Sequence, residues 1–199
     1  NYARVSIEQP HLGRAFFFFL TPFILSLFVA VVIGVSVNFY SVGYNLFLSL
    51  VEWLLSAVVL FVIIHLFKGK EASGKLKGIF AGLGFRYFFW FLLLLFAFVV
   101  MFLFLPEFFQ IVAKAQKAQT TDETFNLLAQ GIDTLNSKGA LVLFASFGAI
   151  TLGVLAMVLL TLYLAYEIIA QIGSKGTPRQ NLLILALWVL VQGLILYFI

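Results

Sequence analysis

Glu52 is the side chain in this sequence whose chemistry most needs an explanation, because it lies inside the apolar run Leu46–Phe67. An ionised carboxylate at the centre of a bilayer costs about 2.5–3.5 kcal/mol, so it requires a partner, a proton or water. Ser49 and Ser56 lie three residues before it and four residues after it, which places all three on one helix face. Gln192, in the last apolar run, is expected at nearly the same depth. We therefore predict a polar intramembrane site in which Glu52 meets Gln192, with Ser49 and Ser56 beside them.

Two interpretations of this site stay open at the level of sequence. In the functional interpretation, Glu52 and Gln192 bind a proton or a ligand in a polar layer that Ser146 could join. In the structural interpretation, Glu52 is protonated and held by an interhelical hydrogen bond, or it snorkels outward to the headgroups. A Glu52 side chain that faced lipid would exclude the functional interpretation.

The residue types needed for most enzyme mechanisms are missing or scattered. The chain has no cysteine, which excludes thiolate catalysis and cysteine metal sites. His11 and His65 are far apart in sequence and neither belongs to an HExxH motif, which argues against a metalloenzyme. The segment Gly34–Val37 (GVSV) lacks the final glycine of a nucleophile elbow, and no GxxxxGK[ST] phosphate loop occurs. We therefore expect no catalytic residue, no metal and no cofactor.

The composition determines the class of protein to which these residues belong. Of 199 residues, 63% are hydrophobic and 10% are charged. Soluble domains average about 45–50% apolar and about 25% charged residues, so part of the solvent must be lipid. The formal net charge of +4 then points to lipid headgroups, and nucleic acid is rejected as a partner. The expected fold is an all-α polytopic membrane protein with a single membrane domain over residues 1–199.

Five apolar runs are long enough to cross a bilayer as helices. They predict a five-helix bundle with the N-terminus and the C-terminus on opposite sides of the membrane. The predicted spans are Ala15–Val37, Leu46–Phe67, Phe85–Leu105, Ala140–Tyr166 and Asn181–Ile199.

A polar insertion, Pro106–Gly139, separates the third span from the fourth and reads as two amphipathic helices. Thr120 and Glu123 have the spacing of a capping box at the start of the second helix. The insertion could be a cap over the bundle or the membrane surface, or it could be a surface that docks a partner. The predicted apolar faces are Phe108, Ile111, Val112 and Ala115 on the first helix, and Phe125, Leu128, Ile132 and Leu135 on the second.

Small residues recur every four positions in the first span and again in the fourth. Such stripes let membrane helices approach closely, so the two stripes are predicted to pack on each other. The alternative to this packing seam is a functional role for the stripe. The stripes consist of Ser26, Ala30 and Gly34, and of Ala145, Ala149 and Gly153.

The lysine-rich stretch Lys68–Gly78 forces a turn between the second and third spans and indicates the orientation. Arg86 is expected to snorkel to the headgroups on the same side, where Glu167 could pair with it. The bias in Lys and Arg predicts a cytoplasmic N-terminus and an extracytoplasmic C-terminus. Nine basic residues fall on the N-terminal side (Arg4, Arg14, Lys68, Lys70, Lys75, Lys77, Arg86, Lys175 and Arg179) and three fall on the other (Lys114, Lys117 and Lys138).

The segments His65–Lys70 and Gly82–Tyr87, joined by a Gly/Ser/Lys turn, resemble the Yip family, the Ypt/Rab-interacting-protein domain. The resemblance returns over Thr161–Ile199, so it covers roughly half of the chain. It implies a non-enzymatic integral membrane protein with trafficking or membrane-organising roles. The Asp-Leu-x-Gly-Pro type segment of eukaryotic members is missing, which argues against Rab binding.

We therefore expect an integral scaffold or accessory subunit of a prokaryotic plasma membrane, with the lipid bilayer and other membrane protein subunits as partners. The alternative is a transporter or channel component in which Glu52 and Gln192 line a path. An intramembrane enzyme is disfavoured because no nucleophile–base pair or metal constellation is visible.

Overall fold

The computed structural model describes residues 2–118, 120–137, 139–172 and 176–198, apart from the side chains at positions 108, 112, 116, 128, 135, 136, 140, 141 and 195–198. Within these residues the chain is 89% helix and has no strand, which confirms the all-α prediction. The α-helices of this part of the chain are α1 (Tyr2–Glu8), α2 (Leu12–Val32), α3 (Phe39–Lys68), α4 (Leu76–Gly84), α5 (Arg86–Phe104), α6 (Pro106–Lys117), α7 (Thr121–Ser137), α8 (Ala140–Gln171) and α9 (Pro178–Phe198).

Four helical segments are long and apolar enough to cross a membrane, which agrees with an integral membrane protein. They are Leu12–Val32, Phe39–Ala72, Leu76–Phe104 and Val142–Gln171. The shortest has 21 residues, and at about 1.5 Å per residue it is as long as the hydrocarbon core is thick.

The first two spans meet at a turn that lies earlier in the chain than the sequence predicts. Gly34 ends α2 at a φ of 71°, and the amide of Val35 donates to Ala30 O over 2.9 Å, as in a Schellman motif. Asn38 then starts α3, because its Oδ1 accepts hydrogen bonds from the amides of Tyr40 at 3.0 Å and Ser41 at 3.3 Å. The predicted turn over residues 38–45 is therefore helical from Phe39 onward.

The third span begins nine residues before its predicted start at Phe85, because α4 and α5 follow one another with only Phe85 between them. Two glycines so close together are typical of a helix break, yet Gly82 and Gly84 are both buried residues of α4. A Cβ on Gly84 would lie 2.5 Å from Cζ2 of Trp53, and one on Gly82 would lie 2.7 Å from Cδ1 of Ile168. These glycines therefore provide close helix packing inside the span.

The contacts of the chain group into two compact units. The first consists of Asn1–Thr21, Gly43–Phe89 and Val158–Ile199, and the second of Pro22–Val42 and Trp90–Met157. Since α2, α3, α5 and α8 contribute residues to both units, the expectation of a single membrane domain stays a prediction.

Candidate polar site within the membrane spans

An ion pair between Arg86 and Glu52 is the centre of the polar site in the first unit. The Nη2 of Arg86 donates to Oε1 of Glu52 over 3.0 Å. The Arg86 side chain is 8% exposed and the Glu52 side chain 29% exposed, so the guanidinium is the more deeply buried charge. A charge-assisted hydrogen bond of this length is among the strong ones in proteins.

Tyr87 extends the ion pair into a short chain of hydrogen bonds. Arg86 donates to the Tyr87 hydroxyl over 3.1 Å, and that hydroxyl donates to the backbone oxygen of Ser49 over 3.0 Å. The guanidinium carbon lies 5.0 Å from the centroid of the Tyr87 ring. The ring and the carboxylate together stabilise the cation, so Arg86 does not need to reach the headgroups.

Trp53 fixes the position of Glu52, its neighbour on α3. The indole is fully buried and stacks on Phe80 with a centroid distance of 4.0 Å, while its Nε1 donates to Phe80 O over 3.0 Å. Phe19 stacks on it at 5.3 Å, and Tyr87 contacts it edge-on at 5.8 Å. Because α2, α4 and α5 all reach this indole, the first residues of α5 are held beside Glu52.

Two hydrogen bonds set the register of α9 against α3. The Nε2 of Gln180 donates to Phe67 O over 2.9 Å, and the Nε1 of Trp188 donates to Ser56 O over 3.2 Å. The helices run antiparallel, since numbers rise along α9 as they fall along α3. One helical turn beyond the Trp188–Ser56 contact, Gln192 on α9 is therefore level with Glu52 on α3. The sequence predicts this equal depth.

Two buried polar atoms near this level have no hydrogen-bond partner within the described part of the chain. They are Oγ of Ser56, a fully buried residue, and Nε2 of Gln192, which is 9% exposed. Unsatisfied buried groups cost about 1–3 kcal/mol each and call for an explanation such as water or a ligand.

The structure therefore corrects the predicted partner of Glu52. Its carboxylate is bonded to Arg86, whereas the amide nitrogen of Gln192 bonds to no described residue. The predicted pairing of Arg86 with Glu167 is also not found, because Arg86 donates its hydrogen bonds to Glu52 and Tyr87. Both errors follow from one difference, which is that Arg86 lies ten residues into the continuous helical segment Leu76–Phe104, with its side chain beside Glu52.

Lys68 makes a second polar contact that the sequence does not predict. Its Nζ donates to the backbone oxygens of Ile169 at 2.5 Å and Ile172 at 2.7 Å, at the end of α8. The Ile169 oxygen also accepts a hydrogen bond from the amide of Ile172 at 3.3 Å, and a cation at this helix end opposes the negative end of the helix dipole. The first lysine of the basic turn thus joins the end of α3 to the end of α8.

The two small-residue stripes, both in the second unit, face α5 and not each other. Ser26 and Ala30 line an apolar groove of about 330 Å³ whose opposite wall includes Ala97 and Phe98. A Cβ on Gly153 would lie 2.8 Å from Cδ1 of Leu93, so this stripe also approaches α5. Of the other members, Gly34 is the C-terminal cap of α2 and Ala145 is exposed, so neither packs in a seam.

The amphipathic helices α6 and α7, which we call the α6–α7 pair, pack closely on each other. A Cβ on Gly131 would lie 3.2 Å from Cγ2 of Ile111. The predicted cap of α7 is confirmed, because the amide of Glu123 donates to Oγ1 of Thr120 over 3.2 Å. The side chains of Phe108, Val112, Leu128 and Leu135 lie outside the described residues, as do Lys138 and Lys175.

A second face of α7, beside the one that contacts α6, carries exposed apolar side chains. Phe125 is 65% exposed and Ile132 is 60% exposed, although both are large and apolar. They lie seven residues apart and so share one helix face. Exposed apolar residues on one face of a polar helix are typical of a surface that contacts a partner or a membrane.

No protein-family model matches this chain, and no curated protein or solved structure matches it either. The resemblance to the Yip family therefore stays a proposal. Among the described residues, no three His, Asp or Glu side chains lie close enough together to hold a metal ion.

Proposed function

We propose that this protein is a non-enzymatic integral membrane scaffold or accessory subunit that binds another membrane protein through the α6–α7 pair. The observation that carries the proposal is the exposure of Phe125 and Ile132 on α7, at 65% and 60%. The helix face that contacts α6 includes Gly131. Phe125 and Ile132 lie outside this contact, so they are available to bind an external partner.

The proposal includes a membrane topology with five crossings. The helix α9 has 21 residues, which at about 1.5 Å per residue matches a hydrocarbon core about 30 Å thick. With α9 as the fifth span, the excess of Lys and Arg in Lys68–Gly78 assigns the N-terminus to the cytoplasm. The α6–α7 pair, between the third and fourth spans, is then extracytoplasmic in a prokaryotic plasma membrane.

A photocrosslinking experiment in native membranes tests the docking surface. A photoreactive amino acid replaces Phe125 or Ile132 in the full chain, and Gln130 is the matched control. Gln130 is also exposed on α7 but lies on the opposite face of the helix. We expect the same discrete protein adduct from positions 125 and 132 and none from position 130.

Two results would contradict this docking surface. One is crosslinking of positions 125 and 132 to lipid alone, which would assign the α6–α7 pair to the membrane surface. The other is an equal protein adduct from position 130, which would indicate contact without a preferred face.

A second candidate function, a transporter or channel component, is favoured by one observation. The Nε2 of Gln192, which has no hydrogen-bond partner among the described residues, lies at the level of the Glu52–Arg86 ion pair. A polar layer inside membrane spans is by default a candidate path for an ion or a proton. The residues of this site would be Glu52, Ser49, Ser56 and Gln192, together with Arg86 and Tyr87.

Thiol labelling separates the two functions, because the chain has no native cysteine. The variant Ser56→Cys is treated with a membrane-impermeant maleimide in broken membranes, with Ser73→Cys in the exposed turn as the positive control. The scaffold function predicts labelling of position 73 only, since Ser56 is fully buried. Labelling of position 56 at a comparable rate would show a water path and would favour transport.

A further inference from the structure

A cavity of about 330 Å³, lined by both polar and apolar residues, lies between α1 and the first turn of α2. Its lining includes the side chains of Tyr2, Ser6, Gln9, His11 and Arg14. The volume falls at the lower end of the range for small-molecule sites, about 300–1,000 Å³. The site lies in the first unit and shares no residue with the polar site around Glu52.

The wall of the cavity is rigid because α1 is held firmly on α4. The Tyr2 ring stacks on Phe85 with a centroid distance of 4.1 Å, and its hydroxyl donates to Ala81 O over 3.4 Å. A Cβ on Gly78 would lie 2.8 Å from Cα of Ile7, so the two backbones touch. Burial raises the pKa of Tyr2 above its ordinary value of 10.0, and the hydroxyl is therefore neutral at pH 7.

The charge in this cavity is positive and is not cancelled by a neighbouring carboxylate. Arg14 is exposed and makes no ion pair with a described residue. The nearest acidic residue along the chain, Glu8, is bonded to Arg4 over 2.9 Å. The first turn of α2 contains no acidic residue.

The position of the cavity along α2 points to the lipid headgroup region. The span Leu12–Val32 begins beside it, and Arg14 is the third residue of that span. A cation at the end of a membrane helix lies where phosphate groups are concentrated. Val5 adds an apolar rim that is 44% exposed, which suits a lipid better than a fully polar solute.

We propose that this cavity binds the phosphate of an anionic phospholipid, with Arg14 as the charged contact and Gln9 and His11 as hydrogen-bond donors. A free phosphate ion has the same recognition chemistry, so the experiment includes both sources.

Native mass spectrometry of the full chain in neutral detergent measures the binding directly. The protein is offered phosphatidylglycerol and phosphatidylcholine with identical acyl chains. We expect preferential retention of phosphatidylglycerol, reduced about fivefold by Arg14→Gln, because one basic residue near the surface is worth about 1 kcal/mol. The control Arg179→Gln removes the same charge from an exposed position at the start of α9 and should leave retention unchanged.

A pair of variants at Gln9 keeps the proposal testable if Arg14→Gln folds poorly. Gln9 is exposed between α1 and α2, so substitution there should not disturb either helix. Retention should fall in Gln9→Glu and rise in Gln9→Lys. Inorganic phosphate is titrated in parallel. If phosphate binds in an Arg14-dependent manner but phosphatidylglycerol is not preferred, the site is supported and its ligand is a free anion.

Equal retention of phosphatidylglycerol by the wild type and Arg14→Gln would overturn the proposal, as would an equal loss in Arg179→Gln. A fall in retention in both Gln9 variants would also overturn it, because the effect would not follow charge.

Discussion

Arg86 and Glu52 show how two charged side chains can be buried as a pair when their interactions offset the desolvation free energy. Desolvation of either ion costs several kcal/mol, and only a close partner with further hydrogen bonds offsets that cost. Arg86 has such partners in the Glu52 carboxylate at 3.0 Å and the Tyr87 hydroxyl at 3.1 Å. A buried ion pair is weak evidence for added stability, but removal of one partner leaves an uncompensated charge.

This asymmetry predicts the behaviour of a double-mutant cycle. Arg86→Met should lower the free energy of unfolding by about 3 kcal/mol, because the Glu52 carboxylate is left without its cation. The double variant Arg86→Met/Glu52→Met should recover most of that loss. The measurement is the SDS-induced unfolding of the protein in mixed micelles, followed by circular dichroism.

The control for this cycle is the exposed pair Arg4–Glu8, whose side chains are 66% and 57% exposed. Arg4→Met should change stability by less than about 1 kcal/mol, as expected for a surface ion pair. A double variant as unstable as Arg86→Met alone would mean that the two charges do not depend on each other.

At the scale of helices, glycines on α4 decide how closely its neighbours approach. Gly78 lies against the backbone of Ile7 and Gly84 against the indole of Trp53, so a methyl group at either position would force a rearrangement. Gly82 lies against the end of the Ile168 side chain. Each contact joins α4 to a different helix, so α4 lies among α1, α3 and α8.

A single added methyl group tests this packing. Gly84→Ala would place its Cβ 2.5 Å from Cζ2 of Trp53 and 2.8 Å from Cβ of Ala15. Overpacking of this kind costs about 1–3 kcal/mol, so Gly84→Ala should unfold at a lower SDS fraction than the wild type. The matched control is Gly193→Ala in α9, whose added methyl group meets no described atom within 4 Å. Its stability should be equal or higher by up to about 1 kcal/mol, since alanine is the better helix former. Equal stability of the two variants would contradict the close approach.

The same helices show what the sequence could and could not predict. Long apolar runs identify membrane helices reliably, because an apolar helix satisfies its own backbone in lipid. Helix ends are harder to predict, since the cap residues Gly34 and Asn38 lie inside a stretch that is uniformly uncharged. The partner of Glu52 is not predicted because Gly82 and Gly84 are typical of a helix break, whereas Arg86 lies in one continuous helical segment, Leu76–Phe104, beside Glu52.

At the scale of the whole molecule, the distribution of basic residues indicates how the chain is oriented in the membrane. The residues Lys68–Gly78 carry four lysines between two apolar helices, and Lys68 is fixed to the end of α8. The proposed scaffold function requires that this basic turn and the α6–α7 pair lie on opposite sides of the membrane. That arrangement would leave the exposed apolar face of α7 outside the cytoplasm.

The most direct test of this arrangement is a pair of topology reporters. One is inserted at Gly74, which is exposed in the basic turn and has open space around it, and the other is fused after Ile199. Five spans predict a cytoplasmic reporter at position 74 and an extracytoplasmic one at position 199. Reporters on the same side of the membrane would mean an even number of crossings between them, and the five-span account would be wrong.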